Sequence, residues 1–141
     1  MPLEVGNRIF YGNIDIYGNS SNGQKLSFKT VETELTDLSG ASVTATNLIP
    51  AGSVVLGVTT RVTTAITGAT GYDVGDSDQD RWGANIGISL DTTSDNTDWT
   101  DGLLLCYPVT TSVVLTAIGG NFTAGSVRIS IYYIEITAPT S

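Results

Sequence analysis

The segment 49–75 reads IPAGSVVLGVTTRVTTAITGATGYDVG and decides the fold class. After a Pro-Ala-Gly turn, apolar residues at 54, 56, 58, 62 and 66 alternate with the polar set Ser53, Thr59, Arg61 and Thr63. Side chains on a strand point alternately to opposite faces, so this pattern predicts one half-buried strand of about 13 residues with a solvated threonine face. At about 3.3 Å per residue it spans roughly 40 Å, and a strand of that length needs a large sandwich or an assembly to lie against.

Similar patterns follow along the rest of the chain. Strands are predicted at 27–38, 42–49, 72–74, 82–90, 103–107, 109–118 and 126–137, separated by Gly, Pro, Asn and Ser turns. The last one carries apolar residues on both parities after Tyr132, which predicts a strand covered on both faces. The sequence therefore predicts an all-β fold, an antiparallel two-sheet sandwich of the jelly-roll type, over residues 26–141.

Residues 1–25 are predicted to form an extended N-terminal arm, because they contain Tyr-Gly-Asn twice and end in Ser-Ser-Asn-Gly. The apolar residues of this arm need a surface to pack on, and Tyr11, Ile14 and Tyr17 are its candidate contact residues. That surface is either a neighbouring subunit or the flank of the same domain. On the long strand, Arg61 and Thr63 are candidate contacts with a neighbouring subunit or with another protein of an assembly.

Composition excludes several functions. The chain of 141 residues has a formal net charge of −8, with eight Asp and one Arg within 73–101. It has no basic stripe, which argues against nucleic acid and against an anionic membrane surface as partners. No apolar run is long enough for a transmembrane helix, and the first residues lack the pattern of a signal peptide, so we expect synthesis in the cytoplasm.

Catalytic patterns are missing as well. Without histidine, Ser-His-Asp and Cys-His arrangements and most zinc sites are excluded. The single cysteine, Cys106, lies in an apolar run and is predicted to be a small buried hydrophobe. We therefore expect a protein that is not an enzyme and carries no cofactor.

Two acidic segments leave alternatives open. Asp76, Asp78 and Asp80 have the spacing of the first half of a calcium-binding loop. However, Arg81 stands where that loop requires Gly, and no flanking helices are apparent. The alternative is a solvated acidic loop in which Arg81 pairs with a neighbouring Asp. The second acidic segment is 91–101, and the pair Asp98-Trp99 within it is typical of a glycan contact. Alternatively, Trp99 folds back as a lid on the edge of the sandwich.

Two segments carry a resemblance to a known family: 49–69, and 120–129 with the Tyr132-Tyr133 pair that follows. They resemble a β-module of tailed-bacteriophage virion proteins, found at the C-terminal ends of tail-fibre-like proteins and in small proteins that cement capsids. The likeness covers about residues 45–137. Because this chain has a short arm in place of a fibre stalk, it looks more like a head cement or decoration protein.

The resemblance implies a virion location and a homotrimeric jelly roll that clamps the major capsid protein and stabilises the head. The alternative is the receptor- or carbohydrate-binding tip of a tail fibre or spike. A surface with few charges favours the cement-protein hypothesis, because burying unpaired charges at a subunit contact costs free energy.

Overall fold

The computed structural model describes residues 14–17, 22–101 and 104–141. These residues form strands joined by turns and contain no helix, which confirms the predicted all-β class. No membrane-spanning helix occurs among them. The strands, in chain order, are β1 (Ile14–Tyr17), β2 (Lys25–Leu35), β3 (Ser42–Ile49), β4 (Ser53–Thr67), β5 (Gly71–Gly75), β6 (Gly83–Ile86), β7 (Thr93–Ser94), β8 (Leu105–Tyr107), β9 (Thr111–Ile118) and β10 (Ala124–Thr137).

The strands form two antiparallel sheets. The large sheet has the order β1-β2-β10-β4-β7, with β8 also paired to β4, and the small sheet has the order β3-β9-β5-β6. From β2 onward the chain passes repeatedly between the two sheets, so that strands distant in sequence become neighbours. The two-sheet antiparallel architecture is as predicted, and this strand order is compatible with a jelly roll.

The core lies between the two sheets. Its members are apolar residues of alternate parity on the long strands, and the fully buried ones include Val58, Val62, Tyr72, Val74, Val113, Leu115, Val127, Ile129 and Ile131. Three hydroxyls meet in the core: the Thr60 hydroxyl lies 2.8 Å from the Tyr72 hydroxyl and 2.7 Å from that of Ser94. This buried cluster ties β4 of the large sheet to β5 of the small sheet.

A β-bulge at Gly57 changes which side of β4 faces the core. On β10, Tyr132 pairs with Gly57 and Tyr133 with Val55, so one residue of β4, Leu56, is left without an opposite partner. Before the bulge, Val55 is buried, whereas the prediction placed Val54 and Leu56 inside; both are only partly buried. An inserted residue reverses the parity of a strand, which is the physical reason for this error.

Two further sequence predictions were wrong. The alternating run 82–90 stays a strand only from Gly83 to Ile86, because Asn85 adopts a positive φ of 52° and the chain then turns, leaving Leu90 56% exposed. Cys106 is exposed and not buried. It lies on β8, where its partner Val54 has been turned outward by the bulge.

The predicted N-terminal arm is described only in part. Its residues Ile14–Tyr17 form β1, which pairs with β2 and lies at the end of the large sheet. Tyr11 lies outside the described residues. The division into an arm of residues 1–25 and a domain of residues 26–141 stays a prediction.

Candidate interaction face

The face of the large sheet that points away from the small sheet, here called the outer face, holds the predicted contact residues of β4. Residues directly opposite on paired strands point to the same side, so the register arranges this face in rows. From one end to the other the rows are Glu34–Arg128–Arg61–Thr93, then Glu32–Ser130–Thr59, then Thr30–Tyr132–Gly57, then Phe28–Ile134–Val54–Cys106, and finally Leu26–Ile136.

The first row is charged. Arg61 and Arg128 are directly opposite each other, and their repulsion is offset by carboxylates on both sides. Arg61 Nη2 lies 2.7 Å from Asp91 Oδ1, and Arg128 Nη2 lies 3.5 Å from Glu34 Oε2. A hydrogen bond from the Thr63 hydroxyl, followed by the charge of Arg128, lowers the pKa of Glu34. Arg61 and Thr63, both predicted from sequence as contacts, therefore belong to one ionic cluster.

Trp99 lies against β4 between the segment that pairs with β8 and the segment that pairs with β7. Its indole Nε1–H donates to the carbonyl oxygen of Val58 at 3.0 Å, and its ring lies against Gly57, where a Cβ would come within 1.9 Å of the ring. Glycine at the bulge therefore makes room for the ring. Trp99 folds back onto the sheet, as the lid alternative predicted, while Asp98 accepts a hydrogen bond from the Asp95 N–H at 2.9 Å within its own loop.

The last two rows form the apolar end of the outer face, which comprises Leu26, Phe28, Val54, Cys106, Ile134 and Ile136. Ile136 is 70% exposed and Phe28 is 38% exposed. The described part of the chain carries no charged side chain in these two rows. Apolar side chains grouped on a flat exposed face are typical of a surface that contacts another molecule.

Two predicted contact residues of the arm can be placed by register alone. Ile14 pairs with Phe28, at the start of the apolar end, and Tyr17 pairs with Lys25. Phe28, Tyr132 and Ile136 were not predicted from the sequence as contact residues. The available signal was the loss of alternation after Tyr132, which predicted apolar contacts on both faces of β10.

The first acidic segment, at 76–81, is organised around Arg81. Arg81 Nε lies 2.9 Å from Asp76 Oδ1, and Arg81 Nη1 lies 2.6 Å from Asp101 Oδ2, which confirms the predicted Arg81–Asp pairing. The Tyr107 hydroxyl donates to the other oxygen of Asp76. Burial alone would raise the pKa of Asp76, but the hydrogen bonds from Tyr107, the Asp78 N–H and Arg81 together outweigh it and lower that pKa.

These contacts bear on the calcium alternative. Asp76 is paired with Arg81, and Asp78 Oδ2 lies 3.8 Å from Arg81 Nη2. Asp80 contributes its backbone carbonyl oxygen to Thr100. Within the described ranges, no three His, Cys, Asp or Glu side chains are grouped so that they could hold a metal ion.

The perturbed tyrosines have structural roles. Burial raises the pKa of Tyr72 to about 12, and burial together with the bond to Asp76 raises the pKa of Tyr107. Both phenols stay protonated at neutral pH and donate to or share hydrogen bonds in the core and in the Arg81 cluster. The chemistry that these groups support is binding and fold stability rather than proton transfer at neutral pH.

Comparisons with known proteins found a structural likeness to a solved chain. No protein-family model matches the chain, and no curated protein matches it. A solved chain from the cyanophage Pam1 capsid asymmetric unit is similar to this chain at 23% sequence identity, with a TM-score of 0.48. The match covers 96% of this chain and 99% of that chain.

Proposed function

We propose that this chain is a non-enzymatic structural protein of a tailed-phage virion, a cement or decoration protein that binds the outer surface of the head and stabilises it. The observation that carries the proposal is the apolar end of the outer face. Support also comes from the resemblance of segments 49–69 and 120–129 to capsid-cementing β-modules. In this proposal the protein acts as a homotrimer and its partner is the major capsid protein.

The apolar end has the properties of the centre of a protein interface. Charged residues are depleted at the centre of such interfaces, and the rows of Phe28 and Ile136 hold none among the described residues. Polar and charged residues, including Glu34, Arg128 and Arg61, lie in the row at the other end of the same face. A contact that covers the apolar end therefore removes exposed Ile136 and Phe28 from water and leaves the paired charges hydrated.

The free energy that burial of Phe28 and Ile136 contributes to binding has an upper limit. Full burial of an Ile or Phe side chain contributes about 1.5–3 kcal/mol. Phe28 and Ile136 start only partly exposed, at 38% and 70%, so together they contribute about 3 kcal/mol at most. Because about 1.4 kcal/mol corresponds to a tenfold change in affinity, removing both side chains weakens binding by up to about 100-fold.

The test is co-sedimentation of the purified protein with heads of the particle that carries it. We expect wild-type protein to saturate the heads and the double variant Phe28→Ser, Ile136→Ser to bind up to about 100-fold more weakly. The matched control is Val109→Ser, which removes an equally apolar side chain that is 66% exposed and lies on the turn before β9. The control should bind as wild type does.

Two outcomes would contradict the proposal in different ways. Wild-type protein that does not sediment with heads would refute the head-binding function. A double variant that binds as tightly as wild type would refute the assignment of the apolar end, provided that its thermal unfolding matches that of wild type.

A further inference from the structure

Beside the apolar end, the outer face holds a groove that extends into the charged row and is formed by two adjoining depressions that share Thr59 and Asp95. The larger depression has a volume of about 370 Å³, within the usual range of small-ligand sites, and the smaller of about 260 Å³. The lining residues that a ligand could contact include Thr59, Arg61, Asp95, Trp99, Arg128, Ser130 and Tyr132.

One end of the groove is aromatic. Trp99 is fixed by its bond to the Val58 carbonyl and by its contact with Gly57, so its ring has little freedom to lose on binding. Tyr132, on β10, is 40% exposed, and its hydroxyl accepts a hydrogen bond from the Thr59 hydroxyl at 3.2 Å. Rigid aromatic side chains with a polar tip provide contact area at a low cost in conformational entropy.

The rest of the groove is lined with hydrogen-bonding groups. Asp95 Oδ1 accepts from the Thr97 N–H and hydroxyl, both at 2.8 Å, whereas Oδ2 accepts no bond from the described residues. Hydrogen bonds from the backbone and then the hydroxyl of Thr97 lower the pKa of Asp95, so it is ionised at neutral pH. On the other side, Arg61 and Arg128 present guanidinium groups that donate.

The charge balance of the groove discriminates between ligand classes. Each arginine already faces a carboxylate, Asp91 or Glu34, and Asp95 adds another negative charge. A phosphate or nucleic acid would find little net positive charge here. An apolar peptide would leave the Thr59 and Ser130 hydroxyls and the Asp95 carboxylate desolvated without partners, which is unfavourable.

We propose that this groove is a carbohydrate-binding site. A neutral sugar offers an apolar ring face to Tyr132 and the edge of Trp99, and hydroxyls that both donate to Asp95 and accept from Arg61 and Arg128. Hydrogen bonds to ionised groups are about twice as strong as neutral ones, which suits recognition of an uncharged polyol. This site adds a ligand that the head-cementing function does not require.

The groove and the apolar end can be occupied together. Ser130 is four residues before Ile134 on β10, which places their rows about 13 Å apart along the strand. Arg128 lies two residues further from the apolar end. A capsid contact over Phe28 and Ile136 therefore leaves the charged side of the groove open to a saccharide.

The experiment uses an array of neutral and acidic oligosaccharides, followed by calorimetric titration of the best-binding saccharide. We expect binding by wild-type protein and at least tenfold weaker binding by Tyr132→Ala and by Asp95→Asn. Asp95→Asn keeps an oxygen acceptor for Thr97, so the loop stays capped. Val109→Ser is the matched control and should bind the saccharide as wild type does.

Several results would overturn the carbohydrate site. They are binding of no saccharide on the array, unchanged affinity in both groove variants, and a loss of affinity that Val109→Ser shares. Co-sedimentation with heads is measured on the same preparations. Failure of sugar binding with retained head binding would refute this site alone and leave the proposed function standing.

Discussion

Replacing Ile131 by alanine is expected to lower the free energy of unfolding by about 3–4 kcal/mol. Ile131 is fully buried on β10, which lies between β2 and β4 in the large sheet. Removing its outer methyl groups leaves a cavity between two sheets that cannot collapse without moving a central strand. Urea denaturation of the free protein, extrapolated linearly to water, measures the loss.

Ile136 on the same strand gives the matched control. It has the same side chain but is 70% exposed, so Ile136→Ala should change the unfolding free energy by less than about 0.5 kcal/mol. Equal losses in the two variants would mean that β10 does not present one face to the core and the other to the surroundings. That result would contradict the division of the large sheet into inner and outer faces.

Asp76→Asn is expected to destabilise the fold by about 3 kcal/mol, because it removes the most buried of the carboxylates that compensate the buried Arg81 charge. The side chains of Asp76 and Arg81 are only 5% and 13% exposed. Arg81 keeps its contacts with Asp101 and Asp78, which places the loss at the low end of the range for buried pairs. Thermal and urea unfolding at pH 7 measure this loss.

The same substitution should weaken the acid sensitivity of the protein. The pKa of Asp76 is lowered in the folded state, so its stabilising contribution is complete above the unfolded pKa of about 3.9 and disappears as the pH falls through the folded pKa. Between about pH 5 and pH 3, the unfolding free energy of Asp76→Asn should therefore decline less steeply than that of wild type.

Asp78→Asn is the control for this cluster. Asp78 lies 3.8 Å from Arg81 and its side chain is 46% exposed, so its pairing is weak and the change should be within about 1 kcal/mol. If Asp78→Asn were as destabilising as Asp76→Asn, the assignment of Asp76 as the main partner of Arg81 would be wrong.

Much of the fold could be predicted from local patterns. The sequence Ala-Gly-Ser-Val occurs at 51–54 and at 124–127, and in both places the glycine has a positive φ, of 80° at Gly52 and 120° at Gly125. Gly52 lies in the turn before β4, whereas Gly125 lies at a register shift at the start of β10, and the two strands pair with each other. A glycine followed by β-branched residues is a local pattern, so the starts of these two strands could be predicted from the sequence.

The inner and outer faces of β4 could not be predicted before its bulge. Val54, Val55 and Leu56 are all apolar, so alternation gives no answer there, and the position of the extra residue depends on how β10 pairs with β4. The error at Cys106 has the same origin, because Cys106 pairs with Val54 on whichever side that residue faces. Pairing between strands distant in sequence leaves no local pattern.

In the candidate sites, too, some residues could be predicted from their sequence neighbours and others depend on strand pairing. Trp99 was recognised from its neighbours in sequence, and the structure places it in the groove. Tyr132, Arg128 and Arg61 reach that groove only because β10 and β4 are adjacent. The apolar end is likewise assembled from several strands. The loss of alternation after Tyr132 signalled that the outer side of β10 needs a cover, but not what supplies it.

The most direct test of the head-binding proposal uses the chain's single cysteine as a reporter. Cys106 is exposed and lies in one row with Phe28 and Ile134 at the apolar end. Its alkylation rate with N-ethylmaleimide is measured by mass spectrometry in the free protein and in protein bound to purified heads. The proposal predicts alkylation at least tenfold slower on heads; an unchanged rate in fully bound protein would contradict it.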